Sequence, residues 1–177
     1  MLNKILVIFL IFISVNSFAQ NEEKQKPRTD IFSFTKEVIL PGTQEQIFDA
    51  ATGDISEWWD HTFSGNPKKL YIEPKPGGGF WEIFDDKGNG VLHATVIYVN
   101  RPKIIRFDGP LGLSGKAVQI VTTYEFATAE GDSTLMKVSV HGSGELEKEM
   151  PAIVEKVWEH FIYERFKPYV ESKKFVK

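Results

Sequence analysis

Seven apolar residues recur at three- and four-residue spacing near the end of this chain: Ile153, Val154, Val157, Trp158, Phe161, Ile162 and Phe166. The spacing predicts a helix of about five turns over 151–170 with a wide apolar face. Pro151 suits the first turn, where a missing N–H costs nothing, and Pro168 loosens the last one. A face this wide has to be covered, so the remaining chain must supply a surface of matching extent.

That surface is a sheet. In Val118 to Ala127, residues Val118, Ile120, Thr122, Tyr124 and Phe126 share one side, while Gln119, Thr123 and Glu125 take the other with Val121 among them. Alternation of this kind predicts one buried and one wet face. Glu130-Gly131-Asp132 turns the chain back into Thr134 to Val140, where Met136, Val138 and Val140 point inward and Lys137, Ser139 and His141 outward. Upstream, Ile31 to Leu40 is a strand ended by Pro41-Gly42. Lys69 to Pro74 and Phe80 to Phe84 form a hairpin around Pro76 to Gly79. Asp85 to Gly90 is a turn into Val91 to Val99, and Ile104 to Phe107 is a short strand. Gly109 to Gly115 reads as a loop with apolar content at Leu111 and Leu113, suited to a flap at a cavity mouth.

Between the first strand and the hairpin, Thr43 caps a short helix over 44–51, with Gln46 at the capping-box position and Ile47, Phe48 and Ala51 on one face. Gly53 breaks it, Asp54 caps the next turn, and Trp58-Trp59 follow in a short polar stretch. Each tryptophan can bury roughly 150–250 Å², so the pair is expected to close one end of a space between sheet and helix.

Lys4, the apolar run Ile5 to Ile13, and small residues at Ser17 and Ala19 read as a secretory signal cleaved after Ala19. The run is short for a membrane span, which needs about 20 apolar residues, so no stable membrane insertion is expected after cleavage and the protein is expected to be periplasmic or secreted. Residues 20–30 read as a flexible leader and 31–172 as one domain. The signal takes one lysine with it, so a net charge of −3 becomes −4 over the 158 residues that remain. This mild, dispersed acidity gives no electrostatic reason to approach nucleic acid. With no cysteine, a domain entering an oxidising compartment must be held together by its core.

The order of these elements resembles the START-like (SRPBCC) superfamily. The resemblance rests on Phe34 to Leu40, Pro41 to Phe48, Asp54-Ile55-Ser56-Glu57-Trp58-Trp59, Gly77-Gly78-Gly79-Phe80, Val118 to Phe126 and the last helix. It is nearest to the branch of polyketide cyclases and homologues of heat-shock-protein ATPase activators. It implies an α+β helix-grip fold, a curved antiparallel sheet wrapped around a long C-terminal helix with a cavity between them. Members include lipid and hormone carriers, aromatase/cyclases and co-chaperones. A secretory signal departs from their mostly cytoplasmic pattern and argues against a co-chaperone, which needs an ATP-driven cytoplasmic partner.

Few residues suggest chemistry. Gly77 to Gly79 precedes Phe80-Trp81-Glu82 rather than Lys and Ser/Thr at a helix start, so it is hairpin geometry and not a phosphate loop. Gly142-Ser143-Gly144 lacks the strand–turn–helix setting of a nucleophile elbow. The histidines His61, His93, His141 and His160 show no paired ligand spacing. Glu159, His160 and Glu164 share a helix, but no second metal-binding element is evident, so no metal or cofactor is expected. His93 sits mid-strand and, if inward, can hydrogen-bond a ligand or act as a base. Glu82 is in register with Phe80 and Phe84. A buried carboxylate there would need Arg106, His93 or a ligand, so a surface position is expected for it.

The sequence therefore points to an apolar or amphipathic small molecule held between sheet and helix. Trp59, Phe63, Trp81, Tyr124, Phe126, Val157 and Phe161 are the expected lining, with Tyr124, Thr122 and His93 as polar anchors. One alternative is a cyclase-like or hydrolytic enzyme using His93 or Glu82. Another is an interaction module without a cavity, presenting a patch around Leu111 and Leu113.

Overall fold

The computed structural model describes residues 28–174; the segment read as a secretory signal and most of the leader lie outside the described residues. Strand β1 (Arg28–Pro41) begins three residues inside the stretch assigned to the leader. Helix α1 (Gln44–Ala50) follows, then β2 (Gly53–Asp54), β3 (Lys69–Ile72), β4 (Gly79–Ile83), β5 (Gly90–Asn100) and β6 (Ile104–Gly109). A 3₁₀ turn at Leu111–Leu113 leads to β7 (Val118–Ala129) and β8 (Ser133–Leu146). The chain closes on one continuous helix made of α2 (Met150–Glu159), a π-helical stretch (His160–Phe166) and α3 (Lys167–Glu171).

The eight strands form one antiparallel sheet in the order β1-β8-β7-β6-β5-β4-β3-β2. It is a meander from β2 to β8, with β1 added beyond β8, so the first strand lies beside the last. Two register shifts interrupt the ladders, at Phe80/Trp81 between β4 and β5 and at Val96/Tyr98 between β5 and β6. Bulges bend a strand and increase its twist, and here both fall in the β4–β6 part of the sheet. The architecture is the α+β helix grip expected from the order of elements.

Local chemistry explains most boundaries. The Thr43 hydroxyl accepts from the Gln46 N–H, and the Gln46 side chain accepts from the Thr43 N–H, completing the capping box. Asp54 Oδ1 accepts from both the N–H and hydroxyl of Ser56, which starts the turn toward the tryptophans. On β8, Met136, Val138 and Val140 are buried as the alternation predicts. On β7 the alternation holds except at Thr123, which is buried on the outer face because Arg106 lies over it and donates to its hydroxyl at 2.9 Å.

The last helix departs from ideal α periodicity. Its π-helical stretch lets Phe161, Ile162 and Phe166 all bury, and Val170 continues the same face. Trp58 packs 4.8 Å from the Phe166 ring and donates its indole N–H to the carbonyl of Ala50, locking α1, the tryptophan turn and the last helix together. At the edge of the sheet, Lys36 Nζ lies 2.7 Å from both Glu155 and Glu159, tying β1 to α2. Ile153 is the exception on this helix: it is 51% exposed, and the reason lies in the cavity.

Candidate functional site

A cavity of about 540 Å³ opens between the first turns of the helix and the sheet. Its helix wall is Met150, Ile153, Val154, Val157, Trp158 and Phe161. The sheet contributes His93 and Ile120, the 3₁₀ turn contributes Leu111 and Leu113, and the segment after the tryptophan turn contributes residues 59–63. The apolar face of α2 thus looks into open space, while the face of the π-helical stretch is packed. That is why Ile153 is exposed and Val154 and Val157 are only half-buried.

The residues expected to line the space separate into two groups. Trp59, Phe63, His93, Val157 and Phe161 do line it. Trp81, Tyr124 and Phe126 do not. Trp81 lies on the outer face of β4, where its indole covers Gly79; a Cβ at Gly79 would fall 2.0 Å from the ring nitrogen, so that close approach requires glycine. Tyr124 and Phe126 are core, with Tyr124 edge-on to Phe107 and Trp158, and Phe126 edge-on to Phe48. Burial pushes the Tyr124 phenol well above its ordinary value. Thr122 is buried on the same strand face, its hydroxyl without a partner, off the cavity wall.

Leu111 and Leu113 form no exposed patch. Leu111 is buried and Leu113 half-buried, and both line the cavity. Leu111 holds a left-handed backbone with φ of 51°, a conformation that costs a branched residue of order 1–3 kcal/mol.

Glu82 and His93 form the polar end of the site. Glu82 is fully buried rather than at the surface. Its Oε2 accepts from the Phe63 N–H at 2.9 Å and from His93 Nε2 at 3.0 Å. Its Oε1 accepts from the Ser64 N–H at 2.9 Å and the Ser64 hydroxyl at 2.8 Å. Burial raises the carboxyl, but the two backbone N–H groups, the Ser64 hydroxyl and His93 outweigh it and hold the group below the usual carboxylate range. Arg106, the other partner proposed for Glu82, is on the outer face with Thr123 and Tyr98.

His93 reaches the interior because it is the extra residue of the first bulge. Phe80 pairs with Ala94 and Trp81 with Leu92, so His93 stands between two register positions and both His93 and Ala94 are buried. With Nε2 engaged by Glu82, Nδ1 is the ring nitrogen left for a further partner. Phe63 and Phe80 flank the ring at 5.6 and 4.9 Å. Glu82 therefore acts as a clamp on the 63–64 backbone: its acceptor capacity is filled, which leaves it ill suited to acid–base work.

A second polar group lies at the rim. Asp60 and His61 follow Trp59, and the Asp60 carboxylate lies 2.9 and 3.1 Å from Nε2 of His160 on the last helix. His61 Nδ1 is 2.9 Å from Asp60 Oδ1, and Arg165 Nε is 3.1 Å from Oδ2. Asp60 and His61 belong to the cavity wall. Among the described residues no helix is long and apolar enough to cross a membrane.

This geometry defines a helix-grip domain with a largely apolar cavity between sheet and helix. A protein from Rhizobium leguminosarum has the same fold at 13% identity and a TM-score of 0.59, over 82% of this chain and 97% of its own. CalU16 from Micromonospora echinospora matches at 17% identity and a TM-score of 0.51, over 82% and 84%. DynU16, from the dynemicin biosynthetic locus, matches at 17% and 0.55, over 80% of this chain and 48% of that one. These are likenesses of fold. No protein-family model matches the chain, and no curated protein sequence does.

Proposed function

We propose that this protein binds an apolar or amphipathic small molecule between the sheet and the first turns of the last helix. The observation that carries the reading is the unpacked apolar face of α2: Ile153, Val154 and Val157 face a cavity of about 540 Å³ instead of the sheet. An open cavity of this size leaves apolar side chains in water, a cost that a bound apolar molecule removes, and ligand sites are concave and mostly apolar with few polar groups. His93 Nδ1 and the rim groups give an amphipathic ligand two places for its polar end. We assign the domain to the branch of the START-like superfamily that includes polyketide cyclases, and we place it outside the cytoplasm on the strength of residues 1–19; both rest on the sequence.

Native mass spectrometry of the chain purified from its host's exported fraction, before and after organic extraction, tests the reading. A discrete extra mass that extraction removes is the expected result. A bare mass, together with no saturable uptake of an apolar fluorescent probe, would refute it.

A further inference from the structure

The stack of Trp59 on Phe161 brings their sequence neighbours together. Asp60 and His61 come from the segment after the tryptophan turn and His160 from the helix, 100 positions away from Asp60. One donor atom from each of the three lies within 4.8 Å of the others. The helix alone offered Glu159, His160 and Glu164 with no second element, and the fold supplies that element.

The donor set is two imidazole nitrogens and one carboxylate oxygen. Hard cations prefer oxygen-only cages, whereas two histidines and a carboxylate suit a borderline divalent transition ion. Bonds of about 2.0–2.2 Å to a shared ion place ligand atoms about 3–3.5 Å apart. Separations of 2.9 Å for each histidine–Asp60 pair and at most 4.8 Å overall are within a small side-chain adjustment of that.

The surroundings hold the ligands in place. His160 Nδ1 lies 2.8 Å from Glu164 Oε2, one turn along the helix, which leaves Nε2 facing Asp60. A carboxylate on the far nitrogen is the outer-shell arrangement that fixes tautomer and orientation in metal-bound histidines. The His61 ring is packed edge-on to Phe161 at 4.9 Å and lies 5.4 Å from His160. Arg165 takes Oδ2 of Asp60 and competes there, leaving Oδ1 with His61.

We propose that Asp60, His61 and His160 form a binding site for one divalent transition-metal ion such as Zn²⁺, at the cavity mouth, with a coordination position open to the cavity. The site stands whether or not the cavity takes an apolar ligand. Bound metal gives the rim a Lewis-acidic point that attracts an oxygen or nitrogen at the polar end of a cavity ligand.

The test is equilibrium dialysis of the chelator-stripped chain against Zn²⁺ at about pH 8, with metal counted per chain, and Co²⁺ absorption to report nitrogen and oxygen ligation. We expect one ion per chain, an affinity at least tenfold weaker in His61→Gln and in His160→Gln, and about 10–100-fold weaker in Glu164→Gln. His141→Gln, an exposed histidine of β8 on the outer face, leaves binding unchanged. His61 is exposed, so its variant keeps the test readable even if His160→Gln disturbs the helix. No stoichiometric uptake, or uptake indifferent to both histidine variants, would overturn the site and leave an ion-pair network only.

Discussion

The indole of Trp59 lies flat on the ring of Phe161, with centroids 3.8 Å apart and planes 19° apart. Phe80 and Trp158 close edge-on around the same indole at 4.9 and 5.9 Å. This one contact sets the inner wall of the cavity and the position of everything that follows Trp59. Phe161→Ala should therefore cost about 3–5 kcal/mol of stability and weaken binding of an apolar probe. Urea denaturation and probe titration report the two effects. A folded variant with unchanged affinity would remove Phe161 from the ligand wall.

Ile153 separates binding from folding. It is 51% exposed while lining the cavity, so Ile153→Ser should change stability by no more than about 0.5 kcal/mol. Affinity for an apolar fluorescent probe should fall by about tenfold, the equivalent of about 1.4 kcal/mol. A ligand seated elsewhere would leave the affinity untouched.

Glu82→Gln tests the clamp. The amide keeps the shape but has only one oxygen to meet four donors, so a loss of about 1.5–3 kcal/mol is expected at neutral pH. The Glu82 carboxyl is held below its ordinary range. Its contribution is therefore present above the unfolded-state value and is lost as pH falls through the folded one. Denaturation of the two proteins in an acid pH series should converge at the low end. A gap that persists below both values would assign the loss to shape instead of charge.

His160 has the opposite sign on its alkaline side. Glu164 and then Asp60 raise its imidazole more than burial lowers it; at Asp60, burial pushes the carboxyl up, and His61, His160 and Arg165 outweigh it and bring the group below its ordinary range. The His160 contribution is complete below the unfolded imidazole value and lost as pH rises through the folded one. The Asp60 contribution is present above the unfolded carboxylate value and lost as pH falls through the folded one. Without added metal, the stability difference between the native chain and His160→Gln should peak between about pH 4 and 6.5. Thermal melts across that range measure it, and a difference that does not vary with pH would leave the pair without a charge-dependent role.

The parts of this molecule legible in the sequence are those where a single element decides the outcome. The Thr43–Gln46 capping box, the alternation of Met136, Val138 and Val140, and the stripe from Val154 to Phe166 each depend on neighbours a few residues away. The missed features depend on pairing. Trp81 looked like an inward residue, yet Phe80 and Glu82 on either side of it hold the inner face. His93, expected as a cavity anchor, does turn inward, but through a bulge in β5 that no local pattern announces. Tyr124 and Phe126 have the right parity and the wrong depth: they lie behind Trp158 and Phe48 instead of at the cavity. Asp60 and His160 carry no local pattern that would place them together, since only the docking of the helix does so.

Lys36 has one more consequence. Among the described residues β1 is the outermost strand of the sheet on its side, and it runs for 14 residues. A free border of that length, with Ile31 and Ile39 exposed, is a template on which a second molecule can add a strand. Lys36 shares the inner side with Val38 and Leu40 and draws Glu155 and Glu159 over the border. An incoming chain would have to desolvate an ammonium and two carboxylates before gaining its first backbone hydrogen bonds. The same three charges that fasten the helix set a desolvation cost against strand addition along this margin.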